Sequence, residues 1–598
     1  MEKYRRTKTC GELGAADAGS AQILNGWVHR KRDHGGISFI NLRDRYGITQ
    51  VVVDENAGAE LSAVTAELRN EYCIAVSGTV RLRPDSMRNA EMATGDVELV
   101  AKTIVILNRC GPLPFQIEEE TGAKDELRLK YRYLDLRSAA MQRRIRLRSE
   151  ITFAVREWMR AQGFYEIETP TFIRSTPEGA RDFLVPSRLY AGKFYALPQS
   201  PQLYKQLLMA AGFDKYFQIA RCYRDEDSRG DRQPEFTQID IEMSFVSRDD
   251  VLKMTEGLLF HVFKKCLGIE LPAEFPKLSY EEAMEDYGTD KPDLRFDMKL
   301  QDFGALAAES GFEAFNTALA TGGAVKALVV PGGAAYSRRQ IEELEAHAKI
   351  YKARGLAWMK RSGAEAEPVL ESGVAKFFAG RAAAVSAALG ARAGDLILIV
   401  ADGNRRVANV SLGAVRTKLG AGLGLCDPSQ FRFAWIIDFP LFEFNEEEGR
   451  WEAAHHLFSY PKEQYHESME EDPGTVKGDL YDLVLNGYEL ASGSIRIHDP
   501  ELQKRVFRIV GLDEEEAARK FGFLTEAFGY GAPPHGGIAP GLDRLAMLMA
   551  GDSSIREVIA FPKNSFAQSP MDGSPGEVDA SQLSELHLAI AAESPKDG

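Results

Sequence analysis

The chain has 598 residues, and its 73 Lys plus Arg against 88 Asp plus Glu give a formal net charge of −15. Hydrophobic residues make up 44% and charged residues 27%, an ordinary globular composition that excludes intrinsic disorder and fibrous repeats, and the length suggests roughly three or four domains. The acidic balance argues against a general polyanion binder, although it leaves room for a local basic surface.

The cysteines and the hydropathy pattern indicate a cytoplasmic protein. No CxxC pair or zinc-like cluster with histidine is present, so we expect reduced structural thiols at Cys10, Cys73, Cys110, Cys222, Cys266 and Cys426. The charged N-terminus leads into no apolar stretch typical of a secretory signal. No run approaches the roughly 18 apolar residues of a membrane span, so we expect no membrane association.

Residues 20–110 combine short strand patterns with one helical pattern. The strand patterns cover 23–28, 38–42, 48–53, 74–82 and 97–107, and helical spacing covers 61–72. Five strands with a helix after the third predict a small Greek-key barrel of the OB type.

Positive charge is concentrated in this module. Residues 1–110 hold 15 basic and 14 acidic residues, a net charge of +1, so the remainder carries −16. Basic residues end two of the predicted strands, beside Phe39 and Gln50. OB barrels bind single-stranded nucleic acid with a basic groove, stacking aromatics and polar side chains that read base edges. The alternative is a solvated basic loop beside a core phenylalanine.

A connector, 112–137, precedes a long predicted helix. Leu147, Ile151, Val155 and Trp158 form one apolar stripe, and Gly163 is a predicted C-cap. A short strand that ends at a proline follows, over residues 164–170.

Two further segments have the character of a ligand site. Strands on either side of a polar loop, 225–234, are expected to place Arg224 and Glu226 on one strand face, because side chains repeat every second residue. Residues 536–545 form a glycine-rich strand that runs into a helix. Between these segments, residues 295–425 alternate helical and strand patterns, which predicts a separate α+β insert.

In order, these segments resemble motifs 1, 2 and 3 of the class II aminoacyl-tRNA synthetases. Further segments, 176–182, 194–205, 487–489 and 493–498, are similar to those of the bacterial aspartyl-tRNA synthetases, and the resemblance covers nearly the whole chain. It implies a multidomain α+β protein with an OB-fold barrel, an antiparallel-sheet catalytic domain and an inserted α+β domain. The implied domains are 1–110 for anticodon binding, 111–145 as hinge, 146–294 and 428–565 for the catalytic domain, 295–427 for the insert, and 566–598 as a C-terminal extension.

The resemblance implies a two-step reaction in which ATP activates aspartate as aspartyl-adenylate, and a tRNA ribose hydroxyl then attacks the adenylate. Arg224 is implied as the catalytic residue, which holds the reacting carboxylate and the α-phosphate, since a guanidinium can address two anions. Mg²⁺ is implied at Asp482 and Glu489, which lie on one candidate segment, because it prefers hard oxygen ligands. The implied ATP-binding residues are Arg224, Asp225, Glu226, Gln233, Glu489, Gly541, Leu542, Asp543 and Arg544.

An aspartate pocket is implied by the same resemblance. Arg496 and Lys205 are expected to bind the side-chain carboxylate of L-aspartate, and His455 to lie near the substrate. Asparagine would leave both cations unneutralised, so we expect strong rejection without an editing domain. The remaining implied aspartate-binding residues are Glu178, Ser200, Gln202, Arg224 and Asp240.

For the anticodon, the resemblance implies that Phe39 stacks on a base, Gln50 reads a base edge and Arg32 supports the backbone. His34 stands where strictly tRNA-Asp-specific enzymes often carry Leu and relaxed ones often carry His. Ser86 occupies a second discriminating position, where relaxed enzymes are expected to carry Gly. Ser86 thus departs from the relaxed pattern, whereas His34 matches it, and on His34 we hypothesise that the chain charges both tRNA-Asp and tRNA-Asn, which requires an amidotransferase to convert the misacylated product. Motif 1 implies a homodimer.

Several alternatives remain at this stage. One is a strictly tRNA-Asp-specific enzyme, and another is an asparaginyl or lysyl relative, against which the long insert and the Arg496 and Lys205 pocket argue. A tRNA-free aspartate ligase on the same catalytic fold would have no use for the barrel with Phe39 and Gln50. A non-catalytic RNA-binding paralogue would be expected to have lost Arg224, Glu226 or Arg544, and all three are present.

Overall fold

The structure, a computed structural model, describes residues 4–119, 121–176, 180–227 and 229–591. It divides into two compact units. One comprises the chain up to Arg146 together with Ala560–Asn564 and Gln568–Pro575. The other comprises Leu147–Ile559, Ser565–Ala567 and the chain from Gly576.

A closed five-stranded barrel with strand order β1-β2-β3-β5-β4 forms the described N-terminal part of the first unit, as predicted. Along β2, Ile40 and Leu42 point into the barrel core while Phe39 and Asn41 are only half-buried, which is the period-two alternation seen in the sequence. The helix after the third strand ends at Glu67, whereas the helical pattern in the sequence extends to residue 72. The elements are β1 (Ala21–His34), β2 (Ile37–Asp44), β3 (Gly47–Val53), α1 (Ala59–Glu67), β4 (Cys73–Leu82) and β5 (Val97–Asn108).

The predicted connector contains two short helices, α2 (Asp125–Lys130) and α3 (Arg132–Asp135). Just after them, Arg137 stacks on the ring of Trp27 at 4.7 Å and donates to Glu71 at 3.0 Å. Glu71 also accepts from Arg43 at 2.9 Å, so the end of the connector is tied to the barrel by a buried carboxylate shared between two guanidiniums.

Helix α4 (Ala139–Ala161) carries the predicted apolar stripe, and Gly163 follows it at φ +81°, as a C-cap requires. The next elements are β6 (Tyr165–Glu166), β7 (Leu184–Pro186), β8 (Phe194–Ala196), α5 (Gln202–Ala210), β9 (Lys215–Tyr223), β10 (Glu235–Ser244), α6 (Arg248–Leu267), β11 (Lys277–Ser279) and α7 (Tyr280–Tyr287).

The predicted insert is a five-stranded sheet with order β12-β13-β16-β14-β15 in the described structure. Its central strand β16 is apolar from residue 396 to residue 401, and both faces are buried, because Leu396 and Leu398 pack into one core while Ile397 and Ile399 pack into another. The elements are β12 (Leu300–Asp302), α8 (Gly304–Ala308), α9 (Glu313–Ala320), β13 (Ala324–Val330), α10 (Arg338–Ile350), β14 (Ala357–Ser362), β15 (Val369–Glu371), α11 (Ala382–Leu389), β16 (Leu396–Asp402) and α12 (Arg405–Gly422).

After the insert the chain completes the large sheet of the second unit. In the described residues this sheet has the order β11-β17-β20-β21-β22-β10-β9-β6 and is mainly antiparallel. Helices α4 and α6 supply much of the core against it, including Ile151, Val155 and Phe263. The elements are β17 (Phe433–Ile437), β18 (Phe442–Asn445), β19 (Arg450–Ala453), β20 (Leu480–Leu485), β21 (Tyr488–Ile495), α13 (Pro500–Ile509), α14 (Glu514–Phe528), β22 (His535–Pro540), α15 (Leu542–Ala550) and α16 (Ala580–Glu585).

Two features remain, the state of the cysteines and the character of the described helices. All six cysteines are free thiols. Among the described helices, none combines the length and the apolarity that crossing a membrane requires.

Candidate active site

A polar cavity of about 1120 Å³ opens over the middle of the large sheet, within the second unit. The ends of β9 and β10, strand β21 and the junction of β22 with α15 form its walls. It collects most of the residues that the sequence singled out, namely Ser200, Gln202, Lys205, Arg224, Asp225, Glu226, Gln233, Asp240, His455, Glu489, Arg496, Gly541, Asp543 and Arg544.

At the closed end of the cavity, two cations and two carboxylates are packed together. Lys205 Nζ donates to Asp240 Oδ1 at 2.9 Å and lies 3.1 Å from Glu242 Oε2. Arg496 Nε donates to Glu242 Oε1 at 3.1 Å. All four side chains are buried. Because the four formal charges cancel, this charged cluster is stable in a region from which water is excluded.

Glu242 was missed by the sequence analysis, although β10 contains a signal for it. Asp240 and Glu242 alternate with Ile239, Ile241 and Met243, whose side chains are all in the core. Acidic residues at every second position of such a strand need buried partners, and a buried charge without one is costly. That pattern identifies Glu242 together with Asp240.

The ionisation of the cluster follows from its contacts. Burial raises the pKa of Asp240, and Lys205 opposes that effect. Burial also acts to raise the pKa of Glu242, but Arg496 and then Lys205 outweigh it and lower the pKa to about 2. For Arg496, burial disfavours the charge, yet Glu242 outweighs this and raises the pKa. Glu242 and Arg496 are therefore a charged pair.

Gly537 permits this arrangement. It lies opposite Glu242 on one side and opposite Ser494 on the other, in the cross-strand row that joins β10, β22 and β21. A Cβ atom at this position would come within 2.0 Å of Glu242 Oε2. A glycine is thus required at position 537, because the Glu242 side chain comes so close to its Cα.

The donors of the two cations are unequally engaged. The three protons of Lys205 Nζ face Asp240, Glu242 and the Ile241 carbonyl oxygen at 3.4 Å. By contrast, Arg496 Nη1 donates to Ser494 Oγ at 2.8 Å, and its Nη2 contact with Glu242 is long, at 3.5 Å. A ligand carboxylate at this end would therefore meet Arg496 more directly than Lys205.

Several buried polar atoms at or beside the cavity have no hydrogen-bond partner among the described residues. They are Arg224 Nε, Gln202 Nε2, Asp240 Oδ2 and Asp482 Oδ1. Buried polar groups in proteins are nearly always paired, so a concentration of unpaired donors and acceptors marks a ligand site. The set combines donors for an anion with acceptors for a cation or an ammonium group.

At the open end, charged side chains surround an aromatic ring. Arg224 lies over the ring of Phe236 at 5.1 Å, and Arg232 pairs with Glu226 at 3.0 Å. Strand β9 ends at Tyr223, so Arg224 and Glu226 do not share a strand face as expected. They lie in the loop between β9 and β10. Arg224, the first residue of this loop, extends the pairing of the two strands, because its N–H donates to the Pro234 carbonyl oxygen.

Arg544 also reaches this end, from the first turn of α15. It pairs with Asp231 at 3.2 Å and donates from Nη1 to the Glu489 carbonyl oxygen at 2.5 Å. These contacts place a second guanidinium at the open end, on the wall formed by β21 and α15.

The side chains of the two residues before Arg544 lie in different surroundings. Leu542 belongs to the hydrophobic core, and its side chain is not part of the cavity wall, because an apolar residue at the start of α15 packs against the sheet. Asp543 Oδ2 accepts from the Thr237 N–H at 2.7 Å, and Oδ1 pairs with Arg148. Asp543 thereby ties α15 to β10 and α4, and Arg148 is a partner that the motifs did not reveal.

The proposed metal ligands lie on two strands rather than on one segment. Asp482 is on β20 and Glu489 on β21, joined by a tight turn at Asn486 and Gly487. His455 Nε2 lies 3.6 Å from Asp482 Oδ2. Burial raises the pKa of Asp482, and Glu489 adds to this, whereas His455 lowers it.

The donor set of this hairpin fits a hard divalent cation. Asp482 Oδ1 is buried without a hydrogen-bond partner among the described residues, and Glu489 lines the cavity. Carboxylate oxygens completed by phosphate oxygens suit Mg²⁺, which rarely takes an all-protein cage. No cluster of three or more described His, Cys, Asp or Glu side chains is arranged to hold a metal by itself. Glu178 lies outside the described residues.

In the barrel, the residues expected to read RNA share one outer face. Arg32 lies opposite Phe39, and Asn41 lies opposite Gln50, so all four project to the same side of β1, β2 and β3. Gln50 Nε2 donates to Glu98 at 2.8 Å, which fixes the orientation of its amide. The face combines an exposed guanidinium, a half-buried ring and an oriented amide, as a stacking and base-reading surface requires.

The two positions expected to discriminate between tRNAs lie at or beside turns of the barrel. His34 is the last residue of β1, exposed beside a turn at Gly35 and Gly36. Ser86 is exposed in a single 3₁₀ turn over Asp85–Met87.

Comparison with known families and proteins agrees with this architecture. The family described as "tRNA synthetases class II (D, K and N)" matches residues 124–565, and an "OB-fold nucleic acid binding domain" matches residues 23–107. An Aspartate–tRNA(Asp/Asn) ligase of Treponema denticola is 66% identical over 591 residues, covering 99% of this chain and 100% of that protein. Its namesake from Caldanaerobacter subterraneus is 51% identical, with 98% of each chain covered.

Other similar proteins carry narrower names. An Aspartate–tRNA ligase of Macrococcus caseolyticus is 50% identical and covers 98% of this chain and 99% of its own length. Among solved structures, asparaginyl-tRNA synthetase from Pyrococcus horikoshii with asparaginyl-adenylate aligns with a TM-score of 0.58 at 18% identity, covering 93% of this chain and 97% of its own. Aspartyl-tRNA synthetase from Entamoeba histolytica aligns at 0.56 and 20% identity, covering 94% and 92%. At such identities the structures show a shared fold.

Proposed function

The chain belongs to the class II aminoacyl-tRNA synthetases of the aspartate, lysine and asparagine group, and we infer that it attaches L-aspartate to tRNA. Within this group the amino acid is selected by the closed end of the cavity. The single observation that carries aspartate is the buried pair of Lys205 and Arg496, with Arg496 Nη2 only weakly engaged by Glu242. The weakly bound N–H donor of Arg496 can donate a hydrogen bond to a ligand carboxylate.

In the first step, an α-carboxylate oxygen of aspartate attacks the α-phosphorus of ATP, and the bond to the bridging oxygen breaks to release pyrophosphate. Arg224 is suited to hold both the attacking carboxylate and the α-phosphate, since its buried Nε has no hydrogen-bond partner among the described residues. Arg544 neutralises charge on the terminal phosphates. Catalysis of this kind consists of positioning and charge stabilisation.

In the second step, the terminal ribose hydroxyl of tRNA attacks the aspartyl carbonyl carbon and loses its proton, an ester bond to tRNA forms, and AMP leaves with the electron pair of the cleaved carbon–oxygen bond of the mixed anhydride. No protein nucleophile is needed. The unpaired acceptor Asp240 Oδ2, with Ser200 and Gln202, supports the substrate ammonium group.

Mg²⁺ is the metal that the donor set favours. Asp482 and Glu489 would hold it, and when bound it supplies charge neutralisation at the phosphates of ATP. His455 lies beside the Asp482 carboxylate, with Nε2 3.6 Å from Oδ2, and helps to hold it in position. Burial lowers the pKa of His455, but Asp482 and then Glu489 outweigh this and raise it.

Rejection of asparagine follows from the charge of the closed end. An amide in place of the carboxylate leaves Arg496 facing a neutral group in a buried site. Loss of a charged hydrogen bond there costs several kcal/mol, on the order of a 10³-fold preference or more.

Relaxed tRNA specificity is favoured by the relatives named for both tRNA-Asp and tRNA-Asn, one of them 66% identical over nearly the whole chain. His34 is suited to accommodate either third anticodon base, because it is exposed at the end of β1 beside the reading face. Aspartyl-tRNA-Asn formed in this way requires a tRNA-dependent amidotransferase to become asparaginyl-tRNA.

We further propose a cytoplasmic homodimer. Three aromatic side chains on and after α4, namely Phe153, Tyr165 and Phe172, are exposed, and large exposed aromatic side chains are of the kind that a second copy covers. Pyrophosphate exchange tests the catalytic part of the proposal. With aspartate, the purified chain should exchange label between pyrophosphate and ATP without tRNA, whereas asparagine and lysine should support none.

A further inference from the structure

Two serines lie beside Arg496 at the closed end of the cavity. Ser494 is on β21, and Arg496 follows the end of that strand. Ser459 belongs to a separate segment, which pairs with Arg496 through an isolated antiparallel bridge. Both serines are fully buried, and both contribute to the cavity wall. Ser459 lies outside the segments that the sequence analysis singled out, so only the fold brings it to the site.

The two hydroxyls form a short hydrogen-bonded chain that ends at the guanidinium. Arg496 Nη1 donates to Ser494 Oγ at 2.8 Å. Ser459 Oγ donates to the same oxygen at 3.2 Å. A hydroxyl oxygen accepts two hydrogen bonds, so both acceptor positions of Ser494 are occupied. The Ser494 oxygen is thus held between two donors, and no bulk water competes for it, because the side chain is buried.

The serine chain and Glu242 hold Arg496 at different nitrogens. Glu242 Oε1 accepts from Nε at 3.1 Å, whereas Ser494 Oγ accepts from Nη1. A planar guanidinium that is held at one edge can still tilt about that edge, and the second contact, at Nη1, removes this motion. The direction of Nη2, the weakly engaged donor, is therefore fixed before a ligand arrives.

We propose that Ser494 and Ser459 are positioning residues for the recognition of aspartate. Ser494 orients the guanidinium of Arg496, and Ser459 holds the Ser494 hydroxyl in the orientation that accepts from it. This inference rests on the proposed function and adds to it two residues that act through Arg496. A cation oriented in advance binds a carboxylate at a smaller entropic cost. Because Arg496 addresses the side chain of aspartate and not its reacting carboxylate, the serines act on KM for aspartate more than on kcat.

Pyrophosphate exchange by the full chain tests the proposal. Ser494→Ala should raise KM for aspartate about tenfold, because a hydrogen bond to a charged group is lost. KM for ATP and kcat should stay within about twofold of the wild-type values, since the substrate contacts at the reacting atoms remain. Ser459→Ala should raise KM for aspartate about threefold and should add nothing in the Ser494→Ala background, because it acts through that hydroxyl.

Ser411→Ala is the matched control. Ser411 is as deeply buried as the two serines of the site, but it lies on α12 of the insert and donates to the Val407 carbonyl oxygen at 2.6 Å. It does not line the cavity, so the exchange kinetics of this variant should equal those of the wild type.

A double-mutant cycle with Arg496→Lys separates positioning from a general structural effect. Lysine has no Nη1, so in this background Ser494→Ala should raise KM for aspartate no further. An equal effect of Ser494→Ala in both backgrounds would overturn the inference. So would an unchanged KM for aspartate in Ser494→Ala, or a rise of KM for ATP by the same factor. If the wild-type chain shows no aspartate-dependent exchange, the proposed function itself fails, so the two failures are distinguishable.

Discussion

Arg496 donates from Nε to Glu242 Oε1 at 3.1 Å across the position of Gly537, at the closed end of the catalytic cavity. The pair holds the guanidinium by one edge and leaves Nη2 to address a ligand. A carboxylate that enters the cavity thus meets a cation whose orientation is already fixed, so little reorganisation is needed on binding.

Removal of this guanidinium should abolish amino-acid selection. Arg496→Leu is expected to lower kcat/KM for aspartate in pyrophosphate exchange by about 10³-fold or more, because the carboxylate is left without its cation. Arg496→Lys keeps the positive charge but loses the planar set of guanidinium donors, so we expect an intermediate loss of kcat/KM for aspartate. The control Arg508→Leu changes an exposed arginine of α13 and should behave as wild type. Near-native aspartate activation by Arg496→Leu would show that the pocket is assigned wrongly.

Glu242 should make stability depend on pH. Its pKa of about 2 in the folded chain lies below the ordinary value of 4.5, so its ionised form stabilises the fold above pH 4.5, and this contribution is lost as the pH falls toward 2. The shift corresponds to stability on the order of 3 kcal/mol. Glu242→Gln should therefore lower the thermal midpoint at pH 7, and the difference from wild type should shrink between pH 4.5 and pH 3.

Glu446→Gln, in the exposed turn between β18 and β19, serves as control and should match wild type at each pH. A gap between Glu242→Gln and wild type that stays constant from pH 7 to pH 3 would contradict the charged pair. Differential scanning calorimetry or far-UV circular dichroism measures the midpoints.

The barrel face should affect tRNA and not amino-acid activation. Phe39→Ala removes a stacking surface worth about 1–3 kcal/mol per base and should lower kcat/KM for tRNA accordingly. Gln50→Ala should also lower kcat/KM for tRNA. The loss should be larger for a tRNA with the cognate base than for one with a different base at that position, because the Gln50 amide is held in one orientation by Glu98. Pyrophosphate exchange without tRNA is the internal control and should be unchanged in both variants. Equal aminoacylation by wild type and Phe39→Ala would refute the anticodon role.

His34 should influence the choice between tRNAs. His34→Leu is expected to reduce charging of tRNA-Asn relative to tRNA-Asp by about tenfold, since specificity at one base is typically worth 1–3 kcal/mol. Steady-state aminoacylation with each transcript measures the ratio. His587→Leu, an exposed histidine outside the barrel, should leave the ratio unchanged. If His34→Leu keeps the wild-type ratio, discrimination resides elsewhere in the barrel.

The sequence predicted the barrel, the long helix with its C-cap at Gly163 and the α+β insert, because each depends on local periodicity or backbone conformation. It predicted less well what depends on distant partners. Arg148, which binds Asp543 from α4, has no local signature. Leu542 was grouped with the nucleotide site because it lies within motif 3, yet tertiary packing places its side chain in the core.

The strand assignments also show that local patterns were predicted better than contacts between distant residues. Arg224 and Glu226 were expected on one strand face, but β9 ends one residue earlier and both lie in the loop. Asp482 and Glu489 come together only because a turn at Asn486 and Gly487 folds their strands into a hairpin. Glu242 could have been found from the alternation of acidic and core positions in β10, a pattern that identifies a buried charge without naming its partners.

The most direct test of the account is aspartate charging of tRNA-Asp and tRNA-Asn transcripts side by side, with an unrelated tRNA-Lys transcript as reference. The account predicts that the purified chain esterifies both tRNA-Asp and tRNA-Asn with aspartate and leaves tRNA-Lys uncharged. Charging of tRNA-Asn no better than of tRNA-Lys would contradict relaxed specificity, and failure to charge tRNA-Asp would contradict the proposed function altogether.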